Sequence, residues 1–77
     1  MEFTPRIKKG DFVYIIGSQE LSAMRMNEFI GRKGVVNEVI YKLNGNSGCW
    51  VAIAPEGDEW WIPVESIFVL WKKIFYQ

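Results

Sequence analysis

Glu59-Trp60-Trp61-Ile62-Pro63-Val64-Glu65-Ser66-Ile67 decides how this chain folds. Trp60, Trp61 and Ile62 are the aromatic and β-branched types that suit a pleated, half-buried strand. Pro63 has no N–H to give a ladder and ends that strand. Val64-Glu65-Ser66 has the length of one 3₁₀ turn, and Ile67 opens another apolar run. The stretch therefore reads as strand, tight turn, closing strand.

Two upstream stretches repeat the theme. Gly10-Asp11-Phe12-Val13-Tyr14-Ile15 turns into a strand, and Gly31-Arg32-Lys33-Gly34-Val35-Val36 kinks into another, with positive φ expected at both Gly31 and Gly34. Strands are expected over 12–16, 35–42, 49–54, 59–62 and 67–70. If Val13 and Ile15 point inward, Phe12, Tyr14 and Ile16 point outward and need a cover. Leu43-Asn44-Gly45-Asn46-Ser47-Gly48 is a hairpin loop and Pro55-Glu56-Gly57-Asp58 a β-turn. Residues 17–30 lack alternation and form a long first loop. There Ser18 or Ser22 caps one or two helical turns through Ala23–Phe29, and Phe29 or Ile30 plugs the core. The sum is a mainly β chain: five short strands in a strongly bent barrel.

The length of 77 residues allows one domain, with a core over about 9–70 and a hydrophobic tail over 71–77. Five Phe, four Trp and three Tyr supply the bulk that so short a chain needs. The tail Trp71-Lys72-Lys73-Ile74-Phe75-Tyr76-Gln77 reads either as a helix or strand covering the barrel, or as a docking tail that drives self-association or touches a membrane surface. A single cysteine, Cys49, forms no internal disulfide and fits a reducing cytoplasm. No apolar run is long enough for a membrane span, and Met1-Glu2-Phe3-Thr4-Pro5 lacks the layout of a secretory signal. A small, neutral, tryptophan-rich barrel also suits a phage or mobile-element product.

The three motifs together resemble the SH3-like small-barrel superfamily over roughly residues 9–70. The Gly-Asp-x-Val-x-Ile opening (Gly10 to Ile15), the Gly-x-x-Gly-x-Val kink (Gly31 to Val36) and the Trp-x-Ile-Pro-x-Glu-x-Ile closure (Trp60 to Ile67) carry the likeness. Relatives with this layout include KOW-type barrels of ribosomal and transcription proteins, small barrel subunits of photosynthetic and redox complexes, and repeat barrels of ubiquitin ligases. Peptide-binding SH3 domains open on Ala-Leu-Tyr-Asp-Tyr and carry an acidic first loop. This chain has neither, and its loop holds Arg25 beside Glu20 and Glu28. The resemblance implies a binding module without naming its partner.

Catalysis has little to stand on. The chain has no His, the commonest general base. Cys49 heads a strand beside Trp50 and reads as a buried structural thiol. Glu56, Asp58 and Glu59 form a solvated turn with too few donors for a metal, and Gly31–Gly34 is too short for a phosphate loop. No enzyme activity, cofactor or metal is expected.

Aromatic residues carry the binding expectation. Trp60 and Trp61 are consecutive on a strand and face opposite sides, one filling the barrel and one outside. Trp50 alternates with Val51 and points outward. Trp50, one of Trp60 and Trp61, and Tyr14 then make an aromatic patch that either the tail or loop covers or another protein meets, with Arg25 at its margin. Basic residues cluster at Arg6-Lys8-Lys9, Arg32-Lys33 and Lys72-Lys73, but nine Lys and Arg balance nine Asp and Glu. Phosphate-backbone binding requires uncompensated cations, so a nucleic-acid partner ranks behind a protein partner or an accessory place on an enzyme complex.

Overall fold

The computed structural model describes residues 7–41 and 47–71. Its five strands are β1 (Phe12–Ile15), β2 (Lys33–Ile40), β3 (Gly48–Ile53), β4 (Asp58–Pro63) and β5 (Ile67–Trp71). All neighbours are antiparallel, in the order β4-β3-β2-β1-β5. Four strands thus meander, and the fifth returns to pair with the first. The mainly β expectation holds, with boundaries shifted by a residue or two.

Alternation sets one face of the sheet inward. Val13, Ile15, Val36, Cys49, Val51, Ile53 and Ile62 are buried there, joined by Ile7, Leu21 and Phe29 from the flanking segments. Their registers agree: Val13 lies opposite Gly34 and Val69, and Val36 opposite Val51. Two irregularities interrupt the ladders, one in β2 between Val36 and Glu38, the other where Phe12 and Val13 meet β5. Such bulges bend a strand and increase its twist. The edges of the sheet are β4 and β5. The 3₁₀ turn Val64–Ser66 links them, and no hydrogen-bonded ladder joins them among the described residues.

The long first loop differs from expectation. Helix α1 spans Gln19–Ala23, earlier than the 23–29 reading, because Ser18 and not Ser22 is its cap. Ser18 Oγ accepts the Leu21 N–H at 3.1 Å, and Leu21 is the loop's fully buried anchor. Two backbone bonds close the other end, Arg25 N–H to Ser22 O at 2.9 Å and Met26 N–H to Leu21 O at 3.1 Å. That pair is a Schellman motif, and it puts Arg25 at φ 59°, a position that favours glycine. A second 3₁₀ turn, Asn27–Phe29, then drops Phe29 into the core, while Ile30 stays exposed.

The loop is pinned to the far end of the chain. Ser18 Oγ and the buried Ser66 Oγ are 2.6 Å apart. Ser18→Ala therefore removes a helix cap and strips Ser66 of that partner, which predicts a loss of about 2–3 kcal/mol. Urea denaturation checks this, and the Ser18→Ala/Ser66→Ala pair should lose less than the sum of the single changes. Strict additivity would mean that the two hydroxyls do not interact.

Glycine roles also part company. Gly31 has φ +92° as expected, but Gly34 does not lie in the left-handed region. Gly34 sits in β2 where β3 passes closely, and space rather than φ demands it. The expected hairpin over 43–48 falls largely outside the described residues, as do Arg6, Lys72, Lys73 and most of the 71–77 tail.

Candidate interaction surface

Register assigns the aromatic residues to faces. Trp61 lies opposite Trp50, and Tyr14 opposite Lys33 and Phe68, all on the side of the sheet away from the core. Trp60 lies opposite the buried Val51 and so belongs to the core side. It does not fill the core, however. Trp60 remains 45% exposed at the margin, its ring 5.1 Å from that of Phe29. Phe29 occupies the interior in its place.

Trp50 and Trp61 form a tight pair. Their ring centroids are 5.7 Å apart at 68°, the edge-to-face arrangement that the ring quadrupole favours. Gly48 makes room for it: a Cβ there would lie 2.6 Å from the Trp61 ring. A glycine covered by a cross-strand aromatic leaves the sheet little local freedom. Trp50 nevertheless keeps 36% of its surface in water.

A second apolar region lies on β1 and β5. Tyr14, Ile16, Phe68 and Leu70 line an open groove of about 440 Å³ with Lys33 at its rim. Phe68 and Leu70 are 54% and 44% exposed. Neither is among the surface residues expected from the sequence, where β5 is the closing strand. Its alternation held the signal, because an inward Ile67 and Val69 send Phe68 and Leu70 outward.

The basic candidates do not converge. Arg32 donates from Nη2 to Glu56 Oε1 at 2.8 Å and to the Ala54 carbonyl at 2.9 Å, with Nε adding a bond to the same carbonyl at 3.3 Å. Arg32 thus reaches across to the β3–β4 turn, where Glu56 offsets its charge. Arg25 closes α1, and Lys33 borders the groove. Tyr14, Lys33, Trp50 and Trp61 share the outer face; Trp60, Arg25 and Arg32 do not join them.

Cys49 is fully buried. Burial, and then the negative charge of Asp11, push its thiol up to about 11 from 9.0. A thiol held neutral in this way is a poor nucleophile. Among the described residues, no three His, Cys, Asp or Glu side chains gather as metal ligands, and no helix is long and apolar enough to cross a membrane. No family model, curated protein or solved structure matches this chain.

Proposed function

We propose that this chain is a non-enzymatic interaction module of SH3-like barrel type, contacting another protein directly or as an accessory subunit. The barrel reading draws support from the strand order, the long first loop, the 3₁₀ turn before the last strand and the two bulges that bend the sheet. The observation that carries the function is the outer face. Trp50, Phe68 and Leu70 are exposed there, beside half-buried Tyr14 and Trp61, on a hydrogen-bonded ladder. Large rings on fixed backbone lose little entropy when covered, and such residues dominate interface energies. A nucleic-acid role is less well supported, because Arg32 is already committed to Glu56 and Ala54.

Trp50→Ala tests the reading. Its place on the outer face and its partial exposure predict a stability loss of only about 1 kcal/mol, set by the Trp61 contact. Binding to the protein captured by the native chain should weaken by about 2 kcal/mol or more, read by calorimetry. A variant that unfolds would place Trp50 in the core and defeat the proposal.

A further inference from the structure

We propose that the groove across β2, β1 and β5 docks an extended peptide of another protein, one carrying a bulky apolar side chain and, two residues on, a carboxylate that pairs with Lys33. This rests on the interaction-module reading and narrows it to a partner chemistry.

The walls set the first requirement. Tyr14, Ile16, Phe68 and Leu70 line an open, shallow groove of about 440 Å³, almost wholly apolar, which suits a side chain laid along the sheet better than a small molecule enclosed in it. Lys33 sets the second. Register aligns Lys33, Tyr14 and Phe68 in one row across three strands. Among the described residues Lys33 makes no ion pair; the pair formed there joins Arg32 to Glu56. Lys33 is exposed, so its stem can lie along an apolar occupant while its ammonium stays in water at the rim. A carboxylate on the occupant adds a partly exposed charge pair there.

Other occupants fit less well. Nucleic acid and anionic lipid call for several cations, and the groove offers one. Spacing favours an extended strand. Residues i and i+2 share a face about 7 Å apart, while three adjacent strands span roughly 10 Å. An apolar anchor over Tyr14, Phe68 and Leu70 then leaves residue i+2 within reach of the Lys33 side chain.

The test is an amide NMR titration of the full chain with blocked heptapeptides Gly-Ser-X-Ser-Glu-Ser-Gly, X being Phe, Trp or Leu, each beside its Gln-for-Glu counterpart. At least one Glu peptide should give saturable shifts at Tyr14, Lys33, Phe68 and Leu70. Its Gln counterpart should bind about fivefold more weakly, the scale of one partly exposed charge pair. Lys33→Gln should make the two equal, and Phe68→Ser should abolish both. Silence from all six peptides at about 1 mM, or equal binding of Glu and Gln forms by the native chain, overturns the proposal. So does a dimer in light scattering that Phe68→Ser dissociates, or a Phe68→Ser variant that unfolds because the chain itself covers the groove. Shifts confined to Trp50 and Trp61 would remove the groove and leave the interaction-module reading standing.

Discussion

Gly34→Ala is expected to lower the free energy of unfolding by about 3 kcal/mol, the upper end for overpacking a well-filled site. A Cβ at this position would lie 2.5 Å from the Ala52 carbonyl oxygen and 2.6 Å from Val51 Cγ1. The oxygen is backbone, so relief requires β2 and β3 to separate where Gly34 pairs with Ile53. Flexible side-chain ends yield cheaply; a ladder does not. Replacing glycine also stiffens the unfolded chain, worth roughly 0.4–1 kcal/mol in the opposite direction, which leaves the clash dominant. Urea titrations of native and variant chains measure the difference. A change below about 0.5 kcal/mol would mean that the two strands are farther apart than described.

The second large effect is alkaline. Burial and Asp11 hold the Cys49 thiol up at about 11 in the folded chain, against 9.0 for an ordinary thiol. Below pH 9 the sulfur is protonated in both states, and its contribution to stability is fully present. Between about 9 and 11 the unfolded chain releases the proton while the folded chain keeps it. The unfolded state then binds fewer protons, so stability falls as pH rises. The loss by pH 11 is on the order of 2 kcal/mol. The measurement is the difference in urea midpoint between native chain and Cys49→Ala across pH 8 to 10.5. Native chain should lose stability faster; parallel curves would refute the buried neutral thiol. Asp11→Asn should lower the Cys49 pKa, since one of the two causes is removed. Thiol-reactive disulfides should label the folded chain at neutral pH only at the rate at which it opens.

Much of the sheet was legible because period-two alternation and punctuation agree. Val13 and Ile15, Val51 and Ile53 alternate cleanly, and Pro63 and Gly31 mark where strands stop and start. The helix was misplaced because Ser18 and Ser22 are equally good caps in isolation. Leu21's burial and the distant Ser66 decide between them, and neither is visible locally. Gly34 misled for a related reason: its neighbour is a carbonyl of another strand, not anything in its own turn.

The candidate surface was only partly readable. Outward Tyr14 and Trp50 follow from alternation, and Trp61 from its cross-strand partner once the register is known. Nothing in Glu59-Trp60-Trp61 tells that Phe29 would take the interior and leave Trp60 at the margin. Arg32 looked like a free cation, because its tie to Glu56 spans a strand and a turn. Phe68 and Leu70 went unnoticed as surface because a terminal strand is easily taken for pure closure.

The Ser18–Ser66 contact and the β1–β5 pairing both join the start of the described chain to its end. During synthesis, then, the first strand waits for its last neighbour until β5 has left the ribosome. A nascent chain stalled before Ser66 is left with an unclamped loop and a bare strand edge, open to proteases and to wrong pairings.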